Sequence, residues 1–272
     1  MNIIERNFFR ILRSGAFNDK EAIEPMSPFK WRRLLQVVEA QNIVATFAKG
    51  INNHENDPLL NIPTDITRIM PELIVHNEER KHAISNDDVR MNNFFLNRKL
   101  KNIIAKELKD EESSVETIDL LEIIVYNLST ILNRGLSLDG IMQLGEYLRR
   151  WGDKVDFVKL DNWLDSLHLG RMAQLQGSIL MSVFGFEQDE LPFVEHPDKE
   201  ALRLAVKTIT YQTKDTAEEW HFKQSRSGFV QNNTTVMRRN ILRSIRYYRY
   251  APLETVSSFF GNIGRSLSEI EE

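Results

Sequence analysis

Apolar residues recur along most of this chain at intervals of three and four, the spacing that gathers side chains on one face of an α-helix. The pattern is densest between Asp139 and Phe193. Ile141, Leu144, Leu148 and Trp151 form one stripe, and Gly152 closes it. Asp156 is placed to cap a second helix, whose stripe is Phe157, Leu160, Trp163, Leu164 and Leu167. A third carries Leu169, Met172, Leu175, Ile179, Leu180 and Val183, with Gly185 where a left-handed residue commonly ends a helix.

The flanks read the same way. Ile4, Phe8, Ile11 and Leu12 share a face before Gly15. Ser27-Pro28 spells a helix start, with the hydroxyl as cap and proline at the first position, and Trp31, Leu34, Leu35 and Val38 form its inner side. Ile43, Val44, Phe47 and Ala48 predict a short helix ended by Gly50. Asn52 to Pro63 is loop-like by composition. Ile66, Ile69 and Met70 predict a turn or two before Pro71, and Glu72 to Asp88 is polar and weakly patterned. A long helix is expected to about Lys109, with Phe95, Leu96, Leu100, Ile103, Ile104 and Leu108 inward. Ser113 with Glu116 reads as a capping box before Leu121, Ile124, Val125, Leu128, Ile131 and Leu132, a helix that Gly135 ends. After Phe193 a helix passes through Leu202, Leu204, Val206 and Ile209. Lys223 to Thr235 reads as flexible, Val236 to Tyr250 as a basic helix stopped by Pro252, and the tail as a weaker helix broken by Gly261 and Gly264.

These elements divide the chain into an N-terminal helical region (1–51), a stretch of loop and short helices (52–88), a main helical core (89–252) and a C-terminal tail helix (253–272). Alternating β-branched runs are nearly absent; Val206 to Thr213 is the best strand candidate, and it continues a helical pattern. The expected fold is all-α, a multi-helix bundle-like domain with no substantial β-sheet.

Composition narrows the chemistry. With 272 residues the chain is long enough to bury a proper core, and its 42% hydrophobic and 27% charged residues are ordinary for a globular protein. The net charge of −4 gives no general field for nucleic acid, so a globally basic, non-specific nucleic-acid binder is not indicated, which leaves room for a local basic patch. There is no cysteine, which excludes disulfides, zinc thiolates and thiol nucleophiles. Glu5, Arg6 and Arg10 interrupt the apolar residues at the start, unlike a signal peptide, and no apolar run approaches the roughly 18 residues of a membrane span. A cytoplasmic protein without a transmembrane segment is expected.

The strongest local anomaly is the run MRRNILRSIRYYRY, with Arg238, Arg239, Arg243, Arg246 and Arg249 and no acidic residue. On a helical wheel Arg239, Arg243 and Arg246 make one stripe, a candidate anion-binding site, while Met237, Ile241, Ile245 and Tyr248 lie opposite. The plainer alternative pairs these arginines with acidic neighbours such as Glu187 to Glu190. Two E-x-x-H pairs, Glu79–His82 and Glu218–His221, have the spacing used by dimetal helical bundles, but the two further glutamates cannot be named and solvated helix faces account for them. His168 falls at a helix junction. No H-E-x-x-H, G-x-S-x-G or P-loop pattern occurs, so the sequence nominates no catalytic residue, no metal ligand and no cofactor.

The central stretch resembles a family of uncharacterised, putative nucleotidyltransferases linked with bacterial polysaccharide gene clusters. The residues that carry the resemblance are Leu138, Ile141, Leu144, Tyr147, Val155-Asp156-Phe157, Leu160, Leu167, Leu169, Arg171, Gln174, Gly177, Gly185, Phe186 and Leu191-Pro192-Phe193. FFRILRSG, PFKWRRLLQVVEAQNIVATFAKG and RYYRYAPLE look like the family's opening and end, so the resemblance covers Phe8–Gly50 and Leu121–Pro252. It implies a shared helical scaffold. Family members also carry a small mixed sheet with a Gly-Ser turn and a D-x-D carboxylate pair that holds the metal. Here the matching interval, Asn92 to Ser114, has no glycine, no strand pattern and no D-x-D, so the resemblance does not carry the transferase activity across. Gly177-Ser178 followed by Glu187-Gln188-Asp189 has a similar spacing, but Gly177 lies inside a helical stripe.

The expectation is therefore a non-catalytic helical protein that binds a protein partner or a ligand, on a scaffold resembling the transferase family without its active-site core. Two alternatives remain open. One is a nucleotidyltransferase-like enzyme acting on a nucleotide or phosphorylated ligand; the other is nucleic-acid or anion binding through Arg239, Arg243 and Arg246, with a phosphate-bearing ligand.

Overall fold

A computed structural model describes residues 1–80, 89–110, 113–209 and 241–268. The fold is all-α, and among the described residues there is no strand. The helices are α1 (Ile3–Phe17), α2 (Pro28–Ala40), α3 (Val44–Asn53), α4 (Thr64–Arg80), α5 (Phe94–Glu107), α6 (Val115–Asn133), α7 (Leu138–Trp151), α8 (Phe157–Ser166) and α9 (Gly170–Phe184). Residues 201–209 (α10) and 241–247 (α11) are also helical, and α12 is Pro252–Ser268. The chain forms two compact units. Among the described residues, the first holds 1–80, 182–185 and 202–209, and the second holds 89–110, 113–181, 186–201 and 241–268.

In the first unit α1 crosses α3 with almost no side chain between them. A Cβ on Gly15 would collide with the main-chain carbonyl of Thr46, and one on Gly50 with that of Ile11. Both glycines lie inside their helices and set this approach; neither ends a helix, as the pattern suggested. The end of α1 falls instead at Asn18, whose φ of 61° takes the left-handed conformation that a short polar side chain tolerates. Asn7 is fully buried and both donates to the Glu24 carbonyl (2.7 Å) and accepts from its N–H (3.0 Å), tying the following loop to α1. Pro28 opens α2, but Ser27 makes no side-chain cap bond. Helix α4 runs through Pro71 to Arg80, longer than its sparse apolar pattern indicates. Its Asn77, 4% exposed, accepts the otherwise unpaired N–H of Val44 at 3.2 Å, so a tertiary hydrogen bond supports what local pattern does not.

In the second unit α6 is the central element, burying Ile118, Leu121, Ile124, Val125, Leu128 and Ile131. Ser114, not Ser113, caps it, accepting from the N–H of Thr117. Helices α7, α8 and α9 keep the caps and stripes read from the sequence: Asp156 accepts the N–H of Lys159 at 2.9 Å, and Gly185 ends α9 with φ 70°. A buried polar bridge joins α6, α7 and α9. Asn127 Nδ2 donates to the Gly140 carbonyl (3.0 Å) and to Gln176 Oε1 (3.0 Å), and Gln176 Nε2 donates to the Ile124 carbonyl (3.1 Å). Gly177 makes room for Val194 and Phe193, whose side chains a Cβ there would strike.

Two expectations in this unit are corrected. Phe95 in α5 and Leu108 at its C-cap point outward, at 78% and 61% exposure, because the helix buries only the side that carries Leu96, Leu100 and Glu107. Gly261 and Gly264 do not break α12, which is continuous across both.

Candidate functional site

The proposed arginine stripe is divided by the structure. Arg239 lies outside the described residues. Arg243 donates through Nη1 to the carbonyl of Asn133, the last residue of α6, where a cation meets the negative end of the helix dipole. Arg246 is half-buried and hydrogen-bonds Tyr247, whose phenol is buried and held above its usual range mainly by that burial. Arg249 reaches Asp198 at 3.4 Å. In the acidic group after α9, Glu190 pairs with Arg149 at 2.8 Å.

The apolar side of the same helix, opposite the arginines, is exposed in part. Ile245 is 70% exposed and Tyr248 53%. Together with Ile241 they form one wall of a groove of about 360 Å³, whose other wall is Val256, Phe259 and Phe260 from α12. Among the described residues Ser244, Thr255 and the Tyr248 phenol are its polar groups, and the Thr255 hydroxyl is buried with no hydrogen-bond partner there. Phe260 stands 65% exposed at the rim. Between Ile241 and Leu253 the sequence has Arg243, Arg246 and Arg249 and no carboxylate; the first acidic residue, Glu254, is 1% exposed. The groove is therefore apolar at its floor, with arginines along the helix that forms one wall.

Sequence reasoning missed this site because the tail read as a weak helix broken at Gly261 and Gly264, and the stripe of Leu253, Val256 and Phe260 ahead of those glycines was not drawn. A helix drawn through those glycines would have shown an apolar face with no assigned partner.

The remaining candidates do not assemble into a catalytic centre. Glu79 stands on the exposed face of α4 with His76 at 3.8 Å; His82, Glu218 and His221 lie outside the described residues. Among the described residues no group of three His, Asp or Glu side chains is placed to hold a metal ion. Gly177-Ser178 sits within α9 and Glu187 caps a short 3-10 turn at Gln188–Glu190, so neither belongs to a strand-to-helix phosphate turn. His168 occupies a left-handed junction, φ 56°, between α8 and α9. The described part of Asn92 to Ser114 is the Asn93-capped helix α5 and a turn. No described helix is long and apolar enough to cross a membrane. Comparison of the chain with family models, curated proteins and solved structures gives no match to any of them.

Proposed function

We propose that this chain is a non-catalytic binding protein whose α11–α12 groove receives an amphipathic helix of a protein partner. The observation that supports this reading is the groove itself. Two helices line it with apolar side chains, Ile241, Ile245 and Tyr248 on one and Val256, Phe259 and Phe260 on the other, with space between them and no covering element among the described residues. A third helix laid along that channel would bury its i, i+3, i+4 side chains there, the helix-in-groove mode of recognition. Exposed aromatic and aliphatic side chains gathered in one patch mark an interaction surface more often than scattered ones do. The run of arginines without a carboxylate in α11 favours a partner with acidic residues flanking its apolar stripe. The resemblance to transferase scaffolds fits the same reading, a helical framework used for docking, with no D-x-D in the matching interval.

The test is a display selection of acidic amphipathic helices against the full chain, read against Ile245→Glu and Phe260→Glu. Both side chains are exposed, so these variants keep the fold. Selected helices are expected to lose at least about tenfold in affinity to either variant. Two results would sink the reading: selected binders indifferent to both substitutions, or a homodimer in solution that either substitution dissociates. The second would assign the groove to another copy of the chain.

A further inference from the structure

We propose that a second, polar recess in the unit that holds α5–α9, α11 and α12 binds a small phosphomonoester. The recess encloses about 270 Å³ and is lined by Arg171 and Gln174 from the first turns of α9, by His196 and Asp198 from the loop that follows it, and by Arg249 and Tyr250 at the end of α11. None of these residues belongs to the apolar groove.

Its lining is almost all hydrogen-bond donor. Arg171 is exposed, and it, Gln174 and His196 make no side-chain hydrogen bond or ion pair among the described residues. Arg249 Nη2 donates to the Tyr250 hydroxyl and reaches Asp198 at 3.4 Å, while 53% of the side chain is exposed and its Nε and Nη1 donors have no partner among the described residues. The Tyr250 phenol is pushed up to about 12, first by burial, and so stays protonated at neutral pH. Asp198 is the single carboxylate, and it is already occupied: it accepts the N–H of Glu200 at 2.8 Å, the Arg249 contact and a hydrogen bond with Tyr250. Two guanidinium charges against one carboxylate leave the recess with a net positive charge in a chain whose total is −4.

Such a set of donors calls for an anion with several acceptor oxygens. A carboxylate offers two, enough for one guanidinium fork. A phosphomonoester offers three terminal oxygens and up to two charges, enough for Arg171, Arg249 and the Gln174 amide together. The volume suits a compact ligand at the small end of organic binding sites. The Tyr250 ring is buried, and the Arg249 guanidinium lies 4.5 Å from its centroid, which leaves the exposed His196 imidazole as the one open ring in the described lining. A volume of about 270 Å³ holds a phosphorylated sugar or polyol more readily than a whole nucleotide, so the ligand class is a phosphorylated sugar or polyol.

Titration calorimetry on the full chain at fixed ionic strength tests this with inorganic phosphate, glycerol 3-phosphate, acetate and adenosine monophosphate as probes. Phosphate and glycerol 3-phosphate are expected to bind, and acetate to give no heat. Arg171→Ala, which removes an exposed side chain with no partner, should weaken phosphate binding about tenfold or more with the melting temperature unchanged. Absence of binding at millimolar phosphate, or binding that Arg171→Ala leaves intact, would overturn the site. Tighter binding of adenosine monophosphate than of glycerol 3-phosphate would overturn the ligand class. Ile245→Glu leaves this binding unchanged, so the outcome is separate from that of the groove.

Discussion

The carboxylate of Glu254, in the first turn of α12, accepts the main-chain N–H of Asn93 at 3.0 Å across 161 residues of sequence. It also accepts the N–H of Asn92 at 2.6 Å, and it is 1% exposed. One buried side chain thus satisfies two N–H groups at the start of α5 and fixes α12, one wall of the groove, to the segment before that helix.

Removing that acceptor leaves two inward-facing N–H groups unpaired. Glu254→Ala should therefore cost about 2–4 kcal/mol in urea unfolding. The pH dependence has a definite sign. Burial is the largest influence on Glu254 and raises its pKa above the ordinary 4.5, against the lowering by the Asn93 and Asn92 N–H groups. The folded state therefore binds the proton more tightly than the unfolded chain. Its contribution is complete below pH 4.5 and declines as pH rises through the folded value. The stability difference between wild type and Glu254→Gln should shift against wild type over that rise; a difference that is flat with pH would contradict the burial argument.

The glycines provide a contrast within one fold. Gly15→Ala and Gly50→Ala each drive a methyl into a backbone carbonyl of the facing helix, which cannot move aside as a side-chain tip can. Each should destabilise the chain by about 2–3 kcal/mol. Gly261 lies inside α12 with nothing within 4 Å of a Cβ, so Gly261→Ala should stabilise by about 0.5–1 kcal/mol. Thermal unfolding of the three variants measures both signs.

Gln176 is fully buried and bridges Asn127 to the Ile124 carbonyl. Gln176→Leu keeps the volume but strands both partners. A loss of about 2–3 kcal/mol in urea unfolding is expected, and Asn127→Leu added to it should cost less than the sum of the two, since the partners then vanish together.

The arginines separate by role. Arg243→Ala removes a cation from the last carbonyl of α6 and should lower stability by about 0.5–1 kcal/mol, whereas Arg171→Ala should leave it unchanged within about 0.5 kcal/mol. Equal effects on the melting temperature would refute the distinction.

Three tyrosines report the packing around them. Burial raises the phenols of Tyr147, Tyr247 and Tyr250 above the ordinary value of 10.0. Because the folded chain holds these protons more tightly, their contribution to stability is complete below pH 10.0 and is lost as pH rises through the folded values, about 12 for Tyr250. An ultraviolet titration should show fewer phenols ionising near pH 10 in the native chain than in the urea-unfolded one.

The all-α class, the caps at Asp156 and Gly185, and the stripes of α6 to α9 were legible because each depends on contacts within one turn or along one helix face. The glycines were misread for the opposite reason. Local propensity makes Gly15, Gly50 and Gly261 look like stops, but the first two are fixed by a carbonyl on another helix, and helix α12 simply tolerates the third. The exposure of Phe95 and Ile245 was equally hidden, since periodicity says which residues share a face and not whether another element covers it.

The candidate sites belong wholly to that second category. Sequence determined that Val236 to Tyr250 carries arginines on one side and apolar residues on the other. Only tertiary packing decided that Arg243 would close a helix end, that Ile245 would border an apolar groove with Phe260, and that Arg249 would meet Arg171 in a recess. A helical pattern fixes direction about one axis; convergence of side chains from separate helices requires the positions of all those axes at once, and burial and buried hydrogen bonds such as Glu254 to Asn93 set those positions.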